Sequence, residues 1–434
     1  MSFKYPLNES HFTFLDRLKI CKFFLNPKER WTQGKYVEQY EKAWADYTGA
    51  KYVVMTSSGS TANTLIAQYV KDNTNPNKNI VVFPAITWST SVNPWIREGF
   101  HPHFIDVSLG DLSIDINKLE VYLKRKHLEI ACVFVTSLLG FTPDINSLKE
   151  ICDKYNVDLK LDNCENSFGT FRSKPTPNTF QFKHVCELVT SSISNYFGHQ
   201  TTNGSESGLI FTNNHDEYIY YLLARNHGML RGLDFDQSEE TKAYKLALRN
   251  PNVDERFDFV LIGNNYRNTN IGAYMGLLDF KRKDDYIKRR KSLYDIFYRN
   301  LNRDTYILPD EFPDRVHVPF SLPIIINPNY KNDTIALKEE IQTYCENNSI
   351  EYRPIISGNL LRHTCYKKYG RANRFPNAEY IHNNGIYIGL YPKLSEDKLL
   401  KITKDLDFKE QFNSTIRKNG KILLCSRNIS KFIY

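Results

Sequence analysis

The first two-thirds of the chain alternates short, continuously apolar runs with stretches of helical periodicity, and few folds accept that pattern. The apolar runs are KYVVMTSS, NIVVFPA, PHFIDV, IACVFVTS, VDLKLDN, LVTSSIS and SGLIFT. Between several of them the apolar residues recur at helical spacing: Val37, Tyr40, Trp44 and Tyr47 before Gly49, then Ala62, Leu65, Ile66 and Tyr69, then Ile145, Leu148, Ile151, Cys152 and Tyr155. Strands that are apolar at nearly every position are buried on both faces. The pattern therefore predicts an α/β fold, with a mostly parallel sheet covered by helices on each side. In such sheets a ligand binds beyond the carboxyl ends of the strands. The sequence collects small, polar and aromatic residues at those ends: SSGST, PAITW, DNCE and SNYFGHQ.

From about residue 286 the pattern changes. The basic helical run IKRRKSLYDIFYRNL leads into RVHVPFSLPIII, a helix over DTIALKEEIQTYCENN, a strand around IEYRPII and a helix after LSEDKL. This predicts a large domain over 1–285, a smaller α+β domain over 286–410 and a C-terminal extension over 411–434. The hydrophobic fraction of 41% and charged fraction of 24% suit an ordered core. No apolar run is long enough to span a bilayer, and the start MSFKYPLNESHF does not read as a secretory leader, so a cytoplasmic location is expected. The net charge is +8, but the basic residues are dispersed and no nucleic-acid-binding signature occurs. The expected partner is a small anionic ligand and not nucleic acid. None of Cys21, Cys132, Cys152, Cys164, Cys186, Cys345, Cys365 and Cys425 forms a C-x-x-C pair or a metal or iron–sulfur spacing. Reduced, mostly buried thiols are expected, and no metal.

Four segments carry chemistry. In TSSGSTAN a strand ends, a glycine permits close approach and a helix begins. The N–H groups of Gly59, Ser60 and Thr61 would then form a phosphate cradle, although the same residues also make an ordinary turn and N-cap. Trp88 in PAITW can stack on a flat heteroaromatic ring or simply fill a core. Asp162 closes the strand LKLD, where its carboxylate can hold a pyridinium nitrogen protonated or cap a turn. Glu165, three residues on, can serve the same pocket as acid or base. In SISNYFGHQTT, Ser194 can donate to a phosphate. His199 can be a general base or a structural histidine. Tyr196, Arg231, Arg353 and Asn359 are further candidates to face a substrate.

In their order and spacing these motifs resemble the DegT/StrS family of sugar-nucleotide enzymes. Its fold is that of aspartate aminotransferase, the fold type I of pyridoxal-phosphate (PLP) enzymes. The resemblance runs from about Tyr5 to Asp407. It takes in WTQGKYVEQYEKAWADYTGAKY, TSSGSTAN, PAITW, LDNC, GNNYRNTNIGAYMGLLDF and FPNAEYIHNNGIYIGLYPKLSEDKL. It implies a homodimer in which Asn265 reaches the cofactor phosphate of the partner subunit.

Most of the family places its cofactor-binding lysine five residues after the phosphate-binding serine; here that position is His199. Imidazole cannot form an imine with an aldehyde. The cofactor is therefore expected to be held without a covalent bond, as pyridoxal or pyridoxamine 5′-phosphate (PMP). The substitution, together with Asp162-Asn163-Cys164-Glu165 and Ser58 to Asn63, is similar to the sugar 3-dehydratase branch of the family. That similarity implies removal of the C3 hydroxyl of a nucleotide-linked 4-keto-6-deoxy sugar, with His199 as base and L-glutamate as amino donor. A glutamate-dependent aminotransferase adapted to histidine, and a non-catalytic binding homologue, are the other two readings. The sequence departs from that branch at Gln200, where a second histidine is expected, and in the loop Gly204 to Gly208.

Overall fold

The computed structural model describes residues 3–173 and 181–407; the expected C-terminal extension at 411–434 lies outside the described residues. Each of the apolar runs contains a strand: β1 (Tyr52–Thr56), β2 (Ile80–Pro84), β3 (His101–Ile105), β4 (Ile130–Thr136), β5 (Asp158–Asp162), β6 (Ser191–Ser194) and β7 (Gly208–Thr212). They form one sheet in the order β1-β7-β6-β5-β4-β2-β3. Strand β7 is antiparallel to both of its neighbours, and every other pair is parallel. The central strand β4 is buried along its whole length.

Helices cover both faces, as continuous apolar strands require. One core holds Val53, Met55, Val133, Val135 and Leu161 against Val37, Tyr40 and Trp44 of the helix Lys35–Thr48 and Leu119 and Leu123 of Ile116–Lys126. The other holds Val54, Val81, Phe83 and Phe134 against Ala62, Leu65 and Ile66 of Gly59–Asn73 and Leu222 of His215–Ala224. Each of the Val, Leu, Ile, Met and Phe side chains among these, fully withdrawn from water, contributes about 1.5–3 kcal/mol before entropy is counted.

A second, antiparallel sheet has four strands in the order Tyr306–Ile307, Ser321–Ile326, Gly385–Gly389, Tyr352–Pro354. The run RVHVPFSLPIII divides between two strands. Arg315–Val316 pairs with Thr170–Arg172, and Ser321–Ile326 joins the second sheet. Pro319 lies between and has no N–H to donate to a ladder. The second sheet shares a core with the first. Leu322, Ile324 and Ile388 pack with Ala85, Ile86, Leu138 and Phe141, and with Leu293 and Phe297 of the helix Lys283–Asn300. That helix also carries the buried Arg290, whose guanidinium donates to the carbonyls of Phe320, at 3.0 Å, and Leu390.

Of the described cysteines, Cys132, Cys152, Cys186 and Cys345 are buried, Cys164 is half-buried, and Cys21 and Cys365 are exposed. Among the described residues no helix is long and apolar enough to cross a membrane.

Candidate active site

At the end of β1 the chain turns into the helix Gly59–Asn73 through a reciprocal cap. Ser58 Oγ accepts the Thr61 N–H at 3.1 Å, and Thr61 Oγ1 accepts the Ser58 N–H at 3.0 Å. The Thr61 N–H is thus committed to the cap, which corrects its expected place in the cradle. No acceptor is found among the described residues for the N–H groups of Gly59 and Ser60 at this positive helix end. A Cβ on Gly59 would come within 2.7 Å of both Cys164 Sγ and Ser194 Cβ. Only a glycine lets the turn approach the ends of β5 and β6 this closely. Ser60 Oγ donates to Thr90 Oγ1 at 3.0 Å, which ties the turn to the first turn of the helix Ser89–Arg97 that Trp88 precedes.

Asp162 ends β5 and is buried. Its Oδ2 accepts from Asn63 Nδ2 at 2.8 Å and Ser91 Oγ at 2.6 Å, and its Oδ1 accepts the Cys164 N–H at 3.0 Å. Asn63 is in turn held by Ser192 Oγ at 2.6 Å. The carboxylate is oriented by three donors, and Oδ1, with one of them, keeps lone-pair capacity toward the cavity.

His199 follows β6 on a turn in which its N–H donates to the Tyr196 carbonyl at 2.9 Å. Its ring sits edge-on between Tyr196 and Phe320, each centroid 5.6 Å away. Nδ1 lies 3.2 Å from the Ser194 carbonyl. A carbonyl only accepts, so Nδ1 carries the proton and Nε2 presents its lone pair. Burial pushes the imidazole down to about 4, so at neutral pH it is an uncharged base.

Glu165 has the opposite bias. Burial pushes its carboxyl up to about 8, against the pull of the Leu139 N–H, which donates to Oε2 at 2.8 Å. At neutral pH it is a carboxylic acid, and with Oε2 occupied as an acceptor the proton falls to Oε1. The Leu139 N–H is aimed there by a left-handed backbone, φ 52° and ψ 20°, a conformation that costs about 1–2 kcal/mol for a residue with a Cβ. Phe320 N–H donates to the Leu139 carbonyl at 2.7 Å, which clamps this strained turn to the segment that packs on His199. Gln200, at the expected second histidine, is fully buried. Its Oε1 accepts the Ser167 N–H at 2.7 Å, and its Nε2 donates to the Val318 carbonyl. It acts as a brace under the His199 turn.

These elements surround one cavity of about 590 Å³ at the carboxyl ends of the parallel strands. Of the residues singled out in the sequence, Gly59, Ser60, Trp88, Asp162, Glu165, Ser194, Tyr196, His199 and Arg353 line it. Trp88 is 53% exposed, its indole unburied by the protein itself. Thr61 does not reach the cavity. Arg231 does not either: it lies over the Phe257 ring at 5.5 Å. Asn359 donates to Glu379 Oε1 at 2.7 Å and to the Ala372 carbonyl at 3.1 Å. Asn265 is exposed on the outside, accepting from Arg267 Nε at 3.0 Å. The structure also brings Leu7, Asn8, Glu206, Phe320, Glu351 and Tyr387 to the cavity. Only Tyr387 left a trace in the sequence, since GIYIG alternates and puts its tyrosine on the face opposite the isoleucines. Among the described residues no lysine lines the cavity, and none of their His, Cys, Asp and Glu groupings could hold a metal ion.

The donor set fits a phosphorylated pyridine. Free N–H groups and a serine lie at one end, a buried carboxylate lies on the strand between, and an uncovered indole lies beside them. Known proteins carry the same arrangement of elements. The chain is 29% identical over 392 residues to GDP-4-keto-6-deoxy-D-mannose 3-dehydratase of Escherichia coli O55:H7, covering 89% of this chain and 95% of the relative. It is 24% identical to GDP-perosamine synthase of Escherichia coli O157:H7, covering 87% and 90%. A crystal structure of GDP-4-keto-6-deoxymannose-3-dehydratase with a trapped PLP-glutamate geminal diamine superposes with a TM-score of 0.80 at 25% identity, covering 93% of this chain and all of that one. The sequence profile of the DegT/DnrJ/EryC1/StrS aminotransferase family matches residues 24–407, and the chain belongs to that family.

Proposed function

We propose that this protein is a PLP/PMP-dependent 3-dehydratase of a nucleotide-linked 4-keto-6-deoxyhexose. The observation that carries the reading is a cavity with no lysine among its described lining residues, in which His199, with Nδ1 3.2 Å from the Ser194 carbonyl, stands where the family's lysine is expected. The relatives named for 3-dehydration support it.

The N–H groups of Gly59 and Ser60 and the Ser194 hydroxyl would hold the cofactor phosphate, Asp162 its ring nitrogen and Trp88 its ring face. When bound as PMP, the group supplies an amine for the sugar ketone and a ring that accepts electrons. His199 Nε2 takes up a proton, with the positive imidazolium steadied by the Ser194 carbonyl at Nδ1. Glu165 Oε1 delivers a proton to the departing C3 hydroxyl, while the Leu139 N–H steadies the carboxylate left behind. The two groups thus divide base and acid work by environment, each in its active form at neutral pH.

The reading includes L-glutamate as amino donor and a homodimer in which the exposed Asn265 completes the partner's phosphate site. It also takes in two domains dividing near residue 285, close to the start of the helix Lys283–Asn300, and a cytoplasmic setting. The GDP-perosamine synthase likeness favours a second reading, transamination at C4. Mass analysis of the sugar product from PMP-loaded protein separates them. Loss of water supports dehydration, gain of an amine with the C3 hydroxyl retained supports transamination, and no conversion with any 4-keto nucleotide sugar supports a binding homologue.

A further inference from the structure

The backbone before Trp88 is gripped by the segment that follows Tyr352–Pro354 of the second sheet. The Leu360 N–H donates to the Ala85 carbonyl at 2.9 Å, Ile86 forms an isolated antiparallel bridge with Asn359, and Ser357 Oγ donates to the Thr87 carbonyl at 2.7 Å. The last of these contacts falls on the peptide bond that joins Thr87 to Trp88. From the large-sheet side, Thr136 Oγ1 meets Thr87 Oγ1 at 2.6 Å. Thr87 is thus pinned from both sheets. The Ser357 hydroxyl is aimed by an unusual turn, because the residues on either side of it are left-handed: Ile356 at φ 52° and Gly358 at φ 64°. Glycine is required at 358, where a Cβ would collide with His382 Nδ1. At 356 the same conformation is imposed on a β-branched residue, for which it is an outlier. Strain of this kind persists only where the surroundings over-determine it, and it collects at functional sites. Ile356 lines the cavity. Its turn is held downstream, where the Ser357 carbonyl accepts from His363 Nε2 at 2.9 Å and the buried Asn359 is bonded to Glu379 and the Ala372 carbonyl.

We propose that Ser357 is a positioning residue for the cofactor: by holding the Thr87 carbonyl it fixes the backbone that carries Trp88, so that the indole face stands in one orientation before the cofactor arrives. This deepens the proposed function and rests on one part of it, the stacking of Trp88 on the cofactor ring. An indole that is 53% exposed is only partly oriented by its own packing, so its backbone has to do the rest. The strained turn at Ile356 is what places a hydroxyl where that backbone can be held.

The test measures PMP binding to full-length protein by equilibrium dialysis, in a double-mutant cycle of Ser357→Ala and Trp88→Ala. PMP is chosen because it cannot condense with surface lysines. Neither side chain is fully buried, so both variants should fold. Trp88→Ala should weaken PMP roughly 10-fold, the loss of a stacking face. Ser357→Ala should weaken it roughly 3- to 10-fold, as for groups that act in one network. In the Trp88→Ala background Ser357→Ala should have no further effect. Saturated with PMP, the Ser357→Ala protein should also show a weaker circular-dichroism band from the bound ring. A general loosening of the fold would instead cost the same factor in both backgrounds. Equal losses in the two backgrounds, or an unchanged affinity in Ser357→Ala, overturn the proposal while the stacking of Trp88 stands. Unchanged affinity in Trp88→Ala removes the stacking itself and overturns both. Should the coupling be found in a protein that releases no water from a keto sugar, the dehydratase reading fails and the positioning role stands.

Discussion

Glu165→Gln separates acid catalysis from packing. Glutamine keeps the shape and can still accept the Leu139 N–H, but it has no proton to give. In the wild type, His199 is neutral above about 4 and Glu165 is protonated below about 8. Water loss from PMP-loaded enzyme should therefore run on a plateau between these limits and decline on either side. The variant should show a plateau lower by roughly 100- to 10,000-fold, the usual contribution of a positioned acid, with no alkaline limb. Stability gives an independent reading. The folded protein keeps the Glu165 proton up to about 8, while the unfolded chain loses it near 4.5. The folded state binds more protons in that window, so its stability falls as pH rises through it. The full effect has a ceiling of roughly 5 kcal/mol, reduced by the side chain's partial contact with water. His199 acts in the opposite sense between about 4 and 6.5, where the folded state binds fewer protons and stability falls as pH falls. The slope to measure is therefore that of Tm between pH 6.5 and 8 in cofactor-free protein, and Glu165→Gln should flatten it. A variant that keeps both the alkaline limb and the Tm slope would refute the assignment of the raised carboxyl to Glu165.

His199→Lys places a primary amine in the cavity. It should acquire a borohydride-stable PLP adduct visible in the intact mass, and lose water elimination, whereas the wild type should hold PLP without an adduct. Gly59→Ala forces a methyl against Cys164 and Ser194; overpacking costs about 1–3 kcal/mol, and a lowered Tm with PLP affinity reduced at least about tenfold is expected from melting and fluorescence titration. Gln200→Ala strands the Ser167 N–H and the Val318 carbonyl at about 1–3 kcal/mol each. The acid limb of its pH–rate profile should rise from about 4 toward the ordinary histidine value as water reaches the imidazole.

The large sheet was legible because its code is local. Runs such as IACVFVTS need burial on both faces, and only a helix-covered parallel sheet offers it to so many strands. The exceptional direction of β7 was not legible, since SGLIFT reads the same whichever way it runs. At the site, the turn at Gly59 and the ends of β5 and β6 could be located from strand–turn–helix punctuation. The Asn265 position rested on resemblance alone, and the side chain lies exposed and away from the cavity. Phe320, Glu351 and Leu7 had no local signal, because they arrive from distant segments through tertiary packing. The acid state of Glu165 was equally invisible, since it is made by the burial of its carboxyl.

The position of β7 also orders the assembly of the protein in time. Among the described residues strand β1 pairs with no strand except β7, and about 150 residues separate them along the chain. During synthesis β1 therefore leaves the ribosome with no neighbour to join, and waits while β2 to β6 are made. A Cβ on Gly208, the first residue of β7, would collide with the Ser58 carbonyl, so the arriving strand meets the N-terminal turn at its tightest point. The insertion of β7 between β1 and β6 brings the Ser58–Ser60 turn beside Ser194 and the His199 segment in one event. Nascent chains ending before Gly208 would carry every strand-end motif of the site and still lack the strand that links β1 to β6.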